Sequence, residues 1–160
     1  MSGSVRVGIV SDTHGTVPPS LVRALAGVSR ILHAGDVGTP RVLDDLARIA
    51  PVAAVRGNTD SGVDPELSRL PAFAVVDVAG VRFAVTHIRG RALGLDQARL
   101  RGCDVYVFGH THVPVIEKED GMLVINPGSA SRPRGGHAAS VAVVSIESGV
   151  VTGAEIVGLG

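Results

Sequence analysis

The chain has 160 residues and carries 15 Lys+Arg against 15 Asp+Glu, a formal net charge of zero. That balance supplies no global positive field to hold long nucleic acid or an anionic membrane surface. Hydrophobic residues make up 45% but aromatics only 2%, with no Trp, so the core must be built from Val, Ala, Leu and Ile, which favours strands buried on both faces.

The length predicts a single domain over residues 1–160. Cys103 is the only cysteine, so no internal disulfide forms and a reducing compartment is expected. It follows a Gly and precedes a strand, and reads as a small packing residue. No charged segment followed by an apolar one opens the chain, and no apolar run approaches the ~20 residues of a membrane span. A cytoplasmic location is therefore expected. Every basic residue except Lys118 is Arg, the side chain suited to bidentate contact with phosphate or carboxylate.

In chain order, Val5 to Val10 has the period-2 character of a strand. Pro18-Pro19 opens a helical stretch from Ser20 to Ala26, proline being tolerated in the first turn. Ile31-Leu32 is a second, short strand. Thr39-Pro40 predicts a helix start, with Thr as N-cap and Pro at N1, running to Ile49. Pro51 to Val55 is a third strand. This β-α-β-α-β order implies parallel strands joined by right-handed crossovers. The second half changes character. Phe73 to Val78 and Val81 to Thr86 flank Ala79-Gly80 as a hairpin. Leu93 to Leu100 is a helix whose apolar stripe packs on the core, and Val105 to Phe108 is a short buried strand. Val113 to Glu117 and Met122 to Ile125 flank Asp120-Gly121, and Val141 to Ile146 and Val150 to Ile156 flank Ser148-Gly149, as two more hairpins. Parallel units followed by hairpins predict an α/β fold of four layers: two mixed sheets packed face to face, with helices on the outer faces.

Ligands in such folds bind beyond the carboxyl ends of strands, and the polar motifs fall there in turn. Asp12-Thr13-His14 follows the first strand, Gly35-Asp36 the second and Gly57-Asn58-Thr59-Asp60 the third. Then come Thr86-His87 and Gly109-His110-Thr111-His112, the strongest single signal. Taken singly, most of these are ordinary turns: Asp serves turns readily, and Gly57-Asn58 is an ordinary place for a left-handed residue. Together they collect Asp12, His14, Asp36, Asn58, His87, His110 and His112 at one sheet edge. Carboxylate plus imidazole without thiolate suits Zn, Mn, Fe or Ni better than Ca or a closed structural zinc site. Seven ligands exceed what one tetrahedral ion needs and suffice for two ions sharing a carboxylate. Such ions, about 3.5–4 Å apart, can polarise a phosphoryl group and hold a bridging hydroxide at neutral pH.

This motif series, with Asp60 after Asn58, resembles that of the calcineurin-like metallophosphoesterase superfamily. The size and the turn Asn126-Pro127-Gly128-Ser129 are similar to its small single-domain bacterial and archaeal phosphodiesterase branch, to which the retromer metallophosphoesterase-like subunit is also related. The likeness spans residues 5 to 146. It implies a β-sandwich flanked by helices and two divalent ions, Mn first, with Zn, Fe or Ni as alternatives. Asp12, His14 and His112 would hold one ion, Asn58, His87 and His110 the other, and Asp36 would bridge. His110 and His112 would thus serve different ions. The implied reaction is in-line attack of a metal-activated hydroxide on the phosphorus of a small phosphodiester, without a covalent enzyme intermediate. Asp60 would orient a neighbouring ligand or loop.

Two departures stand out. Many family members carry a histidine after the Asn to protonate the leaving group. Here it is Thr59, whose hydroxyl is far too weak an acid near neutral pH, so activated leaving groups should be preferred. After His87 the family usually has Gly, whereas here a β-branched Ile88 resists φ > 0 and should reshape the turn. His33 is expected to be a buried imidazole bonded locally. Arg132 and Arg134 follow the Asn-Pro-Gly-Ser turn and are candidates, with Asn58 and Thr59, to contact a phosphate oxygen. His137 reads as a solvated loop residue, with a substitute proton donor as the alternative. Against an active phosphodiesterase stand a phosphomonoesterase and a catalytically weak scaffold or binding module, because a fold can outlive its activity. Unpaired strand edges in the hairpin half offer a route to a homo-oligomer.

Overall fold

The computed structural model describes residues 3–62, 64–90 and 94–160. In chain order the elements are β1 (Val5–Val10), α1 (Pro19–Ala24), β2 (Arg30–His33), α2 (Pro40–Ala47), β3 (Val52–Ala54), α3 (Pro65–Ser68) and β4 (Phe73–Val78). They continue with β5 (Val81–Thr86), α4 (Asp96–Leu100), β6 (Val105–Val107), β7 (Val115–Glu119), β8 (Met122–Asn126), β9 (Ser140–Glu147) and β10 (Val150–Gly158). One sheet runs β10-β9-β1-β2-β3 and the other β4-β5-β6-β8-β7. Both are mixed. In the first, β1, β2 and β3 are parallel and β9 and β10 antiparallel. In the second, β5, β6 and β8 are parallel and the two edge strands antiparallel.

Strand periodicity divides the apolar residues between layers. On β1, Val7 and Ile9 join Leu32, Phe83, Val85, Val105, Val107 and Ile125 in the core between the sheets. Val10 and Ile31 face the other way, packing with Leu21, Leu25, Val42 and Leu46 under α1 and α2. On the second sheet the outward residues Ala84, Tyr106 and Val124 pack with Leu95 and Ala98 of the α4 segment. A strand covered on both faces needs apolar residues at every position, which is why these strands read as near-continuous Val/Ile/Leu runs. Cys103 packs against the α4 cluster, and burial pushes its thiol up, as expected of a packing residue.

The hairpin signals are realised as two-residue turns. Ala79-Gly80, Asp120-Gly121 and Ser148-Gly149 all have positive φ at both positions, the type I′ geometry whose twist matches that of the strands. The Asp120-Gly121 turn pairs Glu119 with Met122, so β7 lies two residues later than the expected Val113 to Glu117. The expected Ser20–Ala26 helix is Pro19–Ala24, the second ends at Ala47, and the third strand is only Val52–Ala54. Thr39 has extended N-cap dihedrals, but its hydroxyl makes no capping bond. One helix was not anticipated: α3, started by Asp64, whose carboxylate accepts from the Glu66 and Leu67 N–H groups, with Pro65 at the first position. Of the expected Leu93–Leu100 helix, Leu93 lies outside the described residues. Leu95 and Ala98 are buried, but Leu100 is 78% exposed, because the short helix ends there and turns it to solvent.

Phe83→Ala, at a fully buried site between the sheets, should cost about 3–5 kcal/mol of unfolding free energy. Leu100→Ala should stay within about 0.5 kcal/mol. Urea unfolding of both variants measures this contrast.

Candidate metal centre

The loops after β1, β2, β3, β5 and β6 meet at one edge of the sandwich. The β1 and β2 loops are zipped beyond their strands: Asp12 N–H donates to the Gly35 carbonyl at 3.0 Å, His14 N–H to Asp36 at 3.0 Å and Gly15 N–H to Val37 at 2.8 Å. Gly109 N–H, donating to the His87 carbonyl at 2.8 Å, joins the β5 and β6 ends. Two glycines allow close approach. A Cβ on Gly57 would lie 2.1 Å from the Asp36 backbone N, and one on Gly109 would lie 2.0 Å from the Ser11 hydroxyl. Gly57 does not have positive φ, so it serves the packing of two loops and not a left-handed turn. Among the non-glycine residues of these loops, the left-handed ones are all candidate ligands: Asp12 (φ 53°), His14 (45°), Asp36 (55°), His110 (70°) and His112 (62°). Each such non-glycine conformation costs about 1–3 kcal/mol and persists only where the surroundings enforce it.

Two residue groups present converging ligand atoms, Asp12 with His14 and His112, and Asp12 with Asp36 and His87. Asp12 Oδ2 accepts from the Ser11 hydroxyl at 2.6 Å and from the His110 N–H at 3.0 Å. Asp12 Oδ1 is fully buried and accepts no hydrogen bond. Around it stand His112 Nε2 at 3.2 Å, His14 Nε2 at 3.7 Å and His87 Nε2 at 4.0 Å. Asp36 Oδ2 lies 3.3 Å from His87 Nε2 and 3.8 Å from His14 Nε2, within reach of both groups. Asn58 Oδ1 lies 2.8 Å from His87 Nε2 and 3.2 Å from His110 Nδ1. His112 therefore sits with Asp12 and His14, and His110 with Asn58 and His87.

Hydrogen bonds fix the imidazole orientations. His87 Nδ1–H donates to the Ala34 carbonyl at 2.8 Å, and His112 Nδ1–H donates to the Arg132 carbonyl. In the neutral rings both Nε2 lone pairs then point at carboxylate and amide oxygens, an arrangement of acceptors against acceptors. A cation between them satisfies all of these atoms at once. Burial would lower His87, but its hydrogen bond to Asp36 and the charges of Asp12 and Asp36 raise it above the usual imidazole value. Burial would raise Asp36, but hydrogen bonds from His87 and the Thr59 N–H hold its carboxyl well below the usual range. Burial lowers His14, opposed by Asp36 and Asp12. The ionised carboxylates and the available imidazole nitrogens fit divalent metal ions, with release of the proton that His87 would otherwise carry.

Several other residues hold this arrangement. Asp60, 1% exposed, accepts from Val37 N–H at 3.2 Å, Gly38 N–H at 3.1 Å and Gly57 N–H at 2.9 Å, bracing the β2 and β3 loops together. His33 is buried, accepts the Gly35 N–H at Nδ1 and bonds through Nε2 to the Thr13 hydroxyl, each at 3.0 Å. It is the locally bonded imidazole expected from the sequence. Sequence reasoning missed the supporting role of Asn126, which donates to the Gly109 carbonyl and the Thr111 hydroxyl, each at 3.0 Å. It also missed Ser129 and Ser131, whose hydroxyls donate to the Asp12 carbonyl at 2.7 Å and the Thr13 carbonyl at 2.8 Å. Their only sequence signal was an Asn-Pro-Gly-Ser turn directly after a strand. Ile88 does not have positive φ, so the turn after His87 takes a β-branched residue without strain. Thr59 is exposed, and its N–H donates to Asp36 Oδ1 at 2.9 Å. Arg132 is exposed, and its charge reaches His14. Arg134 and His137 are exposed on the same loop, and among the described residues neither side chain hydrogen-bonds to the seven.

Residues 5–149 match the calcineurin-like phosphoesterase superfamily domain, and the chain belongs to that family. It is 36% identical over 139 residues to a probable metallophosphoesterase of Methanothermobacter thermautotrophicus, covering 80% of this chain and 78% of the relative. It is 34% identical over 158 residues to the phosphodiesterase YfcE of Escherichia coli, covering 85% of each. The solved structure of the E. coli YfcE phosphoesterase superposes with a TM-score of 0.65 at 29% identity, over 94% of this chain and 98% of that one. Vacuolar Protein Sorting 29 of Cryptosporidium parvum shares the fold, with a TM-score of 0.76 at 21% identity over 96% and 97% of the two chains. Among the described residues no helix is long and apolar enough to cross a membrane.

Burial pushes the His33 imidazole down to about 3, so the unfolded chain binds a proton that the folded one refuses. Stability should fall as pH drops from 6.5 towards 3, by up to roughly 1.4 kcal/mol per unit from this group. His33→Asn keeps an acceptor for the Gly35 N–H. It should show a correspondingly shallower acid slope than wild type in urea unfolding under chelator.

Proposed function

We propose that the protein is a dinuclear metal-dependent phosphodiesterase acting on small phosphodiesters. The observation that carries this reading is the buried, unpartnered Asp12 Oδ1 with imidazole Nε2 atoms gathered around it. Asp12, His14 and His112 would hold one ion and Asn58, His87 and His110 the other, with Asp36 in reach of both. Bound there, the ions would supply the Lewis acidity that polarises a phosphoryl group and activates water for in-line attack. Imidazole and carboxylate admit Mn, Zn, Fe or Ni, of which Mn is our choice.

The chain's own residues would do the rest. Hydrogen bonds from His87 and the Thr59 N–H outweigh burial and hold the Asp36 carboxyl well below the usual range, which favours the charged form that a metal ligand needs. The Ala34 and Arg132 carbonyls orient His87 and His112, so little reorganisation is needed on binding. The Asn58 amide and the Arg132 guanidinium would face nonbridging phosphate oxygens, with Thr59 and Arg134 as further candidates to contact them. Thr59 offers no acid of suitable pKa, and His137 would be the alternative proton donor. A balanced net charge favours a small diester over a polyanion. A cytoplasmic location accords with the single unpaired cysteine.

Metal content and turnover of bis(4-nitrophenyl) phosphate test the proposal. Wild type should bind two ions and hydrolyse the diester with Mn stimulation. Asp36→Ala should lose more than the ~10–100-fold typical of removing an outer partner. A metal-loaded wild type that is inert across Mn, Zn, Fe and Ni would point to a scaffold instead. Rates should also fall steeply as the leaving alcohol becomes less acidic, and equal rates for alkyl and nitrophenyl diesters would place a competent general acid in the site.

A further inference from the structure

Asn58 and His87 have a second face. Besides their ligand atoms, they line a cleft of about 510 Å³ that opens directly beside the centre, with Ala72, Phe73, Ile88 and Gln97 among its other walls. This volume lies in the range of about 300–1,000 Å³ found for small-molecule sites. Ile88 is 52% exposed, although it directly follows a His87 that is 4% exposed. Two of the polar wall groups are engaged elsewhere. The Arg56 guanidinium donates to the Ser68 and Leu70 carbonyls at 3.0 and 3.1 Å, and the Thr86 hydroxyl is paired with that of Tyr106 at 2.6 Å. What the cleft offers an occupant is apolar surface, continuous with the residues that would hold the phosphate.

We propose that this cleft is a specificity subsite for an aromatic ester substituent of the substrate, with Ile88, Phe73 and Ala72 as its determinants. The inference rests on the phosphodiesterase reading and deepens it. The phosphate would sit at the ligand residues while the ring lies against Ile88 and Phe73. A simple alkyl alcohol fits less well, since a methyl group would leave the apolar walls wet. The isoleucine at position 88, where the family resemblance led to glycine, thereby gains a role: it supplies an apolar wall next to the reacting phosphorus.

Calorimetric titration of the Mn-loaded protein with methyl, phenyl and 1-naphthyl phosphate tests this directly. The two aryl phosphates should bind about tenfold or more tighter than methyl phosphate, the worth of burying a ring. In Ile88→Asp and in Ala72→Trp, which fills the cleft, that advantage should shrink to within about threefold, with circular dichroism confirming the fold. Equal affinities in wild type, no binding by any of the three, or an aryl advantage that survives both substitutions would overturn the subsite. Turnover of bis(4-nitrophenyl) phosphate on the same samples separates the two ideas. Turnover without an aryl advantage removes the subsite alone, and an aryl advantage without turnover removes the phosphodiesterase reading alone.

Discussion

Asp12 is the residue on which the two halves of the sandwich close. Its carboxylate is fully buried, at the end of a strand of the first sheet, and it accepts the His110 N–H from the loop that ends β6 of the second. Its backbone carbonyl is held by Ser129 and Ser131 from the loop between β8 and β9. One carboxylate oxygen is saturated and the other accepts nothing. A buried charge left in that state costs several kcal/mol, and rings whose Nε2 atoms crowd round the bare oxygen relieve it only if something positive lies between them. The unbalanced oxygen, the paired carboxylate of Asp36 and the fixed tautomers of His87 and His112 are therefore one feature: a pocket of ligand atoms that makes electrostatic sense with cations in it.

Positioning that pocket requires backbone that ordinary loops do not adopt. Five of the candidate ligands are left-handed, and the conformation is imposed from outside by buried polar groups. Asp60 gathers three N–H groups from two loops, His33 links the first two loops, and Asn126 clamps the Gly-His-Thr-His turn. All are attached to strands packed on both faces, so the ligand atoms inherit the rigidity of the sheet core. The same framework leaves the substrate side open, with Asn58, Thr59 and Arg132 exposed.

Fold and function separate here. Proteins with phosphoesterase names and a vacuolar sorting protein superpose on this chain almost end to end, so the architecture alone does not choose between catalysis and scaffolding. The proposed catalytic reading rests instead on the site, where two groups, Asp12 with His14 and His112 and Asp12 with Asp36 and His87, bring ligand atoms together.

Strand-like runs each ending in Asp, Asn or His, and the three dipeptides Ala79-Gly80, Asp120-Gly121 and Ser148-Gly149, made the two-sheet architecture and the edge carrying the site legible from the chain alone. Period-2 burial and type I′ turns are local properties, written in neighbouring residues. What the chain did not disclose depends on residues far apart in sequence. β9 returns to lie beside β1, and β6 inserts between β5 and β8. Gly57 is needed because Asp36 passes within a side chain's width, and Asn126, Ser129 and Ser131 matter because their loop crosses beneath Asp12. Ile88 adopts its turn without strain and faces a cleft, and Leu100 turns outward where its helix stops. The sequence by itself determined the strands, the turns and the inventory of candidate ligands. Only the tertiary structure decided how closely the candidate ligand atoms converge, which backbones must touch and what surface lies beside them, because those are distances set by the packing of two sheets.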